Sequence, residues 1–384
     1  MCRARSPYPG GEQMMFQHAP MQTAFVLSLF TALVVTVASS QVRHHRNSIF
    51  GVVLDADSRT PLVNVNVFLS NTKIGTGTDA RGAFSLDGIP VGRYDLVFSR
   101  VGYERMIRPV LLNGDTTIQI SAQLKPRVIT IPGVDVLGEG SGSAWERMRN
   151  MRSFLEEFLG RTSNAKGCKV LNQDKIRLWI DSYEILNAST DSAIIVENRA
   201  LGYKLSVELI SFTYDIKLKG VKLFYYPRFE DLAPADSDEA RQWEANRAKS
   251  YLGSRRHFFR SLFNRSLSRE KYFVTSGRGV DLASRPGYPI TDSLHIGFSL
   301  DSMRCVLAMD APLYNAESYR VDFRAGYPRS RLDDYSSSIF EARQPQIRVV
   351  YGELDDPRAI AVYGRWARER VADELPLVYV VKEQ

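Results

Sequence analysis

Five histidines are the first residues to weigh. A hydrolytic zinc centre needs two histidines and a carboxylate, with one coordination position left open for water. The histidines are His18, His44, His45, His257 and His295, and none has glutamate three residues on, the close pair that would normally begin such a centre. His44-His45 lies near the N-terminus, ahead of the first patterned segment. The remaining assembly would join His257 and His295 to a distant carboxylate such as Glu270, with no recognisable ligand motif around either ring. Serine chemistry has no better footing, since no Gly-x-Ser-x-Gly elbow occurs. Gly138-Glu139-Gly140-Ser141-Gly142 lacks the Lys-Ser/Thr of a phosphate-binding loop, and an exposed linker accounts for it. Glu353, Asp355 and Asp356 precede Pro357 without the spacing of a calcium loop. No residue is therefore assigned to catalysis, to a cofactor or to a metal, and the expectation is a protein that is not an enzyme.

Two other groups remain. Cys168 and Cys305 follow the N-terminal segment that contains Cys2, and in an exported chain they form either one bridge or two buried thiols. Arg255, Arg256, His257 and Arg260 lie on a basic helical stretch beside Phe258-Phe259. That pattern fits an amphipathic element touching anionic lipid or a lipid-linked glycan. It fits equally a solvated charged face packed by its aromatic side.

These residues must be positioned by elements, and the clearest elements lie between Ile49 and Gly102. Short apolar strands alternate there with turn clusters, the pattern of a β-sandwich. Val63, Val65 and Val67 alternate with Asn64, Asn66 and Phe68. Tyr94, Leu96 and Phe98 share one face of a later strand, with Asp95, Val97 and Ser99 on the other. Asp79-Ala80-Arg81-Gly82 and Gly88-Ile89-Pro90-Val91-Gly92 supply the turns. Asp55 and Asp79 read as turn caps.

The ordered set Gly51-Val52-Val53-Leu54-Asp55, Pro61 to Val67, Gly75 to Leu86 and Pro90 to Tyr103 resembles the carboxypeptidase regulatory-like domain, a transthyretin-like β-sandwich. The resemblance spans residues 48–125. It implies a binding or spacer module that often precedes larger surface and transport domains, TonB-dependent outer-membrane receptors among them. It implies no peptidase activity, because the zinc ligands are missing from the histidine set.

Residues 126–143 carry Pro126, Pro132, Gly133, Gly138, Gly140 and Gly142 and read as a linker, with Val134 and Val136 able to add a last strand. Residues 144–384 read as a β-rich α+β domain. A helix capped by Ser143 and Glu146 is expected, with Trp145, Met148, Met151, Leu155, Phe158 and Leu159 on its apolar side and Gly160 as its stop. Strands are expected at Lys175–Ile180, Ala193–Glu197, Tyr203–Ile210, Thr213–Leu218, Ser293–Leu300, Gln346–Tyr351 and Leu377–Val381, with a loop from Pro227. A second helix is expected from Asp238 to Leu262, kinked at Gly253-Ser254, and a short one near Trp366–Val371. Segments around Trp243–Arg260 and Tyr363–Pro376 resemble a stretch that follows this sandwich in secreted bacterial proteins of unassigned function.

The formal charge of +7 over 384 residues is too mild for a nucleic-acid binder. Ala24–Ala38 has the length of a signal-peptide apolar core, and Ala38-Ser39-Ser40 offers a cleavage step before Gln41, so residues 1–40 are expected to direct export, with an uncleaved anchor as the alternative. Arg3 and Arg5 lie far upstream of that core, with Met14, Met15 and Met21 as alternative starts. The expected protein is a non-catalytic binding or scaffold component of the bacterial envelope, at the periplasm or outer-membrane surface. Its partner would be an envelope protein or glycan, with membrane-surface contact allowed. The alternatives are an accessory of TonB-dependent nutrient uptake and an enzyme of unrecognised type.

Overall fold

The structure, a computed structural model, describes residues 47–127, 144–278, 288–290, 298–301, 306–310, 317–324, 337–344 and 346–381. Residues 1–40, most of the expected linker, His295 and Cys305 lie outside them.

Seven strands form the sandwich: β1 (Asn47–Asp55), β2 (Asn66–Leu69), β3 (Gly75–Gly77), β4 (Ala83–Ile89), β5 (Gly92–Ser99), β6 (Met106–Leu112) and β7 (Thr117–Leu124). One sheet has the order β4-β1-β7, with β1 and β7 parallel, and the other has the order β3-β2-β5-β6. Their facing sides bury Ile49, Val65, Val67, Phe84, Leu96, Phe98 and Ile120 among others. Phe84 meets Phe98 edge to face at 5.6 Å. The two aspartates are turn caps. Asp55 Oδ1 accepts from the N–H groups of Asp57 and Ser58, and its Oδ2 accepts from the Tyr103 hydroxyl. Asp79 Oδ1 accepts from Arg81 and Ala83 N–H. The valine alternation holds for Val65 and Val67 only, because Asn64 takes φ 57° and turns Val63 outward. Arg127 N–H donates to Gly102 carbonyl, so the start of the expected linker still belongs to the sandwich.

A helix, α1 (Ala144–Leu159), then lies on a six-stranded sheet. Its strands are β8 (Cys168–Val170), β9 (Arg177–Ile180), β10 (Ile185–Ser189), β11 (Ile194–Asn198), β12 (Tyr203–Asp215) and β13 (Val221–Asp231). The order is β8-β11-β12-β10-β9, with β13 on β12. Gly160 ends α1 at φ 101°, where a Cβ would stand 2.6 Å from the Arg368 carbonyl. Three expectations change here. The two segments expected at Tyr203–Ile210 and Thr213–Leu218 are one strand, β12, whose register against β13 shifts between Leu209 and Ser211. Pro227 does not start a loop but sits inside β13, an edge strand where a missing N–H is tolerated. Trp145 and Met148 of the expected apolar side are exposed, while Met151, Leu155, Phe158 and Leu159 pack on the core together with Phe154.

Helices α2 (Ser237–Tyr251) and α3 (Arg255–Phe263) replace the single kinked helix. They precede β14 (Tyr272–Arg278), β15 (Tyr288–Ile290), β16 (Phe298–Asp301), β17 (Val306–Asp310), β18 (Glu317–Phe323), β19 (Ser337–Ala342), β20 (Gln346–Val350), β21 (Glu353–Leu354) and β22 (Ile360–Gly364). These form two sheets, β15-β14-β18-β19-β22 and β16-β17-β20-β21. Phe258, Phe259, Tyr319, Phe340 and Trp366 fill the core beside them. The expected helix at Trp366–Val371 is a turn followed by one 3-10 turn at Val371–Asp373. The expected strand at Leu377–Val381 is irregular chain. The chain is thus an all-β sandwich followed by a β-rich α+β domain. His44–Gln384 is one compact unit.

Candidate functional site

The expected basic patch is built on α3, and its geometry is internal. Ser254 caps the helix by accepting from His257 N–H. Arg256 Nε donates to Glu353 Oε2 at 3.2 Å, and its Nη1 donates to the Leu375 carbonyl. Arg260 Nε donates to Glu353 Oε1 at 2.9 Å, and its two Nη atoms donate to the Leu377 and Tyr379 carbonyls. One carboxylate therefore ties two arginines to β21, while the same arginines hold the chain after residue 374. Arg255 is half-buried on the same helix. Arg256, His257 and Arg260 do not form the anion- or membrane-facing patch. The donors of Arg256 and Arg260 are turned onto Glu353 and backbone carbonyls because α3 is covered by the C-terminal segment, and the His257 ring is turned into the core.

His257 is buried among Tyr251, Tyr272 and Phe323, whose ring centroids lie 5.0, 5.1 and 5.5 Å away. Gly253 N–H donates to His257 Nδ1 at 3.1 Å, and the Tyr272 hydroxyl touches the same nitrogen at 2.9 Å. A backbone N–H can only donate, so Nδ1 is an acceptor and the neutral ring carries its proton on Nε2. That atom faces Glu270 Oε2 at 3.4 Å. Burial lowers the His257 pKa, and the Glu270 carboxylate opposes the shift. Of the proposed zinc assembly, His257 and Glu270 are thus neighbours, and His295 lies outside the described residues. Among the described residues no three His, Cys, Asp or Glu side chains converge as metal ligands.

Cys168 begins β8, and its thiol contacts the Asn164 carbonyl at 3.5 Å. Burial, with Asp373 nearby, pushes that thiol up to about 12, far from the range of a nucleophilic cysteine. Its expected bridge partner, Cys305, lies outside the described residues.

The sequence reading missed a buried polar seam. Glu157 on α1 pairs with both Arg161 and Arg370. Asp373 accepts from the Thr162 hydroxyl and from Asn164 Nδ2, each at 2.8 Å. Burial pushes the Asp373 carboxyl up to about 6, because its closest partners are neutral. Glu374 accepts from the Tyr225 hydroxyl at 2.8 Å. A second missed site joins the sandwich to the larger domain. Arg105 Nε donates to Glu208 Oε2, and Arg105 Nη2 donates to the Thr190 carbonyl at 3.1 Å. Both side chains are close to fully buried. Elsewhere between the sandwich and the larger domain, Arg93 bridges to Asp355 at 2.9 Å and Lys73 to Asp231 at 2.6 Å. Asn71 N–H donates to the Pro227 carbonyl, Phe229 N–H to Thr72, and Leu377 N–H to Asn71. The available signal was Glu208 inside the apolar run Leu205–Ile210, where a carboxylate needs a buried cation.

A shallow cleft at this junction is lined by Arg93, Pro109, Leu111, Arg348, Val350 and Asp355. Its cavity volume of about 190 Å³ is below the usual size of a pocket for a drug-sized ligand, and Asp355 is shared by the two arginines.

The fold and these contacts define a sandwich module fastened to an α+β domain. Residues 49–136 match the family described as the CarboxypepD_reg-like domain. No curated protein matches the sequence. Solved structures similar to this chain include the pilus 2b backbone protein of group B streptococcus, at 15% identity and TM-score 0.18, covering 21% of this chain and 40% of that one. The minor pilin of Streptococcus agalactiae aligns at 18% identity and TM-score 0.19, covering 22% of this chain and 46% of that one. The major pilin subunit of Bacillus cereus aligns at 9% identity and TM-score 0.18, covering 86% and 85%. This chain spans about half or less of the length of the first two. Scores this low carry no functional argument.

Proposed function

We propose that the chain is an exported, non-catalytic binding or scaffold protein of the bacterial cell envelope, with the sandwich as a module held rigidly on the larger domain. One observation supports the reading above others: the sandwich is clamped through the buried Arg105–Glu208 pair. A spacer on a loose linker has no use for such a pair, because removing two charges from water is costly unless it fixes a geometry. The side chains that could do chemistry also have structural employment. His257 is held by Gly253 N–H, Cys168 is a shielded thiol, and Arg256 and Arg260 hold Glu353. The match of residues 49–136 to a regulatory-like module agrees with this.

Two measurements test the two halves of the reading. N-terminal sequencing of the product from an envelope fraction is expected to begin at Gln41, and a full-length cytoplasmic product would overturn export. Metal analysis beside cleavage assays on free and C-terminally blocked peptides tests the absence of catalysis. Stoichiometric zinc with release of C-terminal residues, lost in His257→Ala, would overturn the non-catalytic reading.

A further inference from the structure

The two most exposed large apolar side chains among the described residues, Tyr183 and Leu218, lie at one flank of the six-stranded sheet. Helix α1 crosses that sheet from β9 towards β13, because Phe154 packs on Phe212 of β12 and Phe158 on Tyr225 of β13. Its first two turns, Ala144 to Arg149, are exposed residue by residue and so overhang the β9 side. They carry Trp145 at 60% and Met148 at 65% exposure. The edge strand beneath adds Trp179 and Ile180. Two adjacent hairpin tips complete the flank. Tyr183 tops the β9–β10 turn and Leu218 the β12–β13 turn, each 82% exposed, and Lys217 reaches Glu184 across them at 3.2 Å. A tip residue needs turn-forming chemistry, which Asp181 and Asp215 supply by accepting from the backbone N–H groups of Tyr183, Lys217 and Leu218. Nothing in the turn itself calls for a leucine or a tyrosine there.

The charges around these side chains indicate what they meet. The overhang carries Arg147 and Arg149 against Glu146, with Arg149 lying 5.1 Å over the Trp145 ring, and Arg152 on the next turn pairs with Glu156 at 3.0 Å. The second tip carries Lys217, Lys219 and Lys222 with no carboxylate between positions 216 and 222. The acidic residues at the tips are engaged: Asp181 and Asp215 with backbone N–H groups, Glu184 with Lys217. Apolar side chains projecting through a collar of long cationic ones fit the boundary of an anionic bilayer, where the apolar part enters the acyl layer and the cations stay with the headgroups. We propose that this flank, formed by the α1 overhang, the β9 edge and the two hairpin tips, docks on an anionic lipid surface. No helix among the described residues is long and apolar enough to cross a membrane, so these elements would lie on the surface. The proposal does not depend on the envelope reading, since an anionic leaflet faces either compartment.

The test uses the compact unit beginning at His44, which omits the apolar N-terminal run. Vesicles of phosphatidylcholine alone and of phosphatidylcholine with phosphatidylglycerol are sedimented with the protein at low and high salt. Binding to the anionic vesicles is expected to be at least tenfold tighter than to the neutral ones and to weaken with salt. The double variant Trp145→Ser/Leu218→Ser is expected to lose tenfold or more, with unchanged circular dichroism because both side chains are exposed. Lys217→Glu/Lys219→Glu should remove the preference for anionic vesicles. A protein that stays in the supernatant overturns the proposal, as does a double variant that sediments like the wild type. Sedimentation velocity covers the other occupant: a dimer abolished by Trp145→Ser/Leu218→Ser would assign the flank to a second copy of this chain and overturn the lipid assignment.

Discussion

At the scale of single residues, buried charge is the main cost that this fold carries. Arg105, in the connection before β6, and Glu208, on β12, are shielded together. Removing one partner leaves the other charged and dry, so Arg105→Ala or Glu208→Ala is expected to cost about 3–5 kcal/mol. The double change Arg105→Met/Glu208→Leu should cost clearly less than the sum of the two single changes, and urea titration of the four proteins checks this. Asp373 makes a prediction of the opposite kind. Its carboxyl ionises near 3.8 when unfolded and near 6 in the fold, so the unfolded chain loses its proton first as pH rises. The contribution of this residue is fully present below pH 3.8 and is lost as pH rises through about 6. Asp373→Asn keeps an acceptor for Thr162 and Asn164 without the charge. It is expected to raise the melting temperature relative to the wild type at pH 8 and to leave it near unchanged at pH 3. An equal effect at both values would contradict the assignment. In the sandwich core, Phe84→Ala should cost about 3–5 kcal/mol, since the ring is buried and meets Phe98.

At the scale of elements, the junction between α2 and α3 depends on Gly253. It takes φ 77°, its carbonyl accepts from Trp366 Nε1 at 2.9 Å, and a Cβ there would stand 2.7 Å from Phe323. Gly253→Ala is expected to destabilise by about 1–2 kcal/mol from the left-handed backbone alone, and more from the contact. Equilibrium denaturation of this variant beside a Gly→Ala control at the exposed Gly102 separates the two effects. The elements also differ in how far they could be read from the chain. The sandwich was legible because apolar residues recur at period two, as at Tyr94, Leu96 and Phe98, and the turns carry glycine or aspartate, as at Asp79-Ala80-Arg81-Gly82. α1 was legible as a helix and in its later turns, where Met151, Leu155, Phe158 and Leu159 pack on the core, but not in its first turns: Trp145 and Met148 fit the apolar period equally well, and only the position of the sheet decides which turns are covered. Pro227 read as a loop because a lone proline cannot reveal that its strand lies at an edge. The basic stretch on α3 misled for a related reason. Arginine spacing reports charge, while the acceptors that use it, Glu353 and the carbonyls of Leu375 and Leu377, lie more than 90 residues away. Val97 and Ser99 share the strand face opposite Leu96 and Phe98, yet both are buried as well. Strand alternation identifies two faces but not whether both are covered.

At the scale of the molecule, residues 366–377 couple three cores that would otherwise be separate. Trp366 packs with Phe258, Phe259 and Phe340. Val371, Ala372 and Leu375 lie in the core under α1. Leu377 packs against the sandwich core, and its N–H donates to Asn71. This segment has no helical or strand period because each successive side chain answers to a different neighbour, which is why it was misread as a helix and a strand. A strap that inserts into every core makes unfolding of any one core expose apolar surface of the next, which favours a single cooperative transition. Calorimetry of the chain from His44 is expected to show one transition with equal calorimetric and van't Hoff enthalpies. A chain ending at Gly364 should behave differently. Its α1 core loses Val371, Ala372 and Leu375, and Glu157 loses Arg370, while the sandwich loses only Leu377 at its rim and keeps Phe84, Leu96, Phe98 and Ile120. The sandwich should therefore persist as a separate, higher-melting transition after the rest has unfolded, and a fragment of residues 44–136 should reproduce that transition by itself. If the intact chain already melts in two separated steps, or the fragment shows no cooperative transition, then the strap does not couple the cores and the sandwich is not the autonomous part.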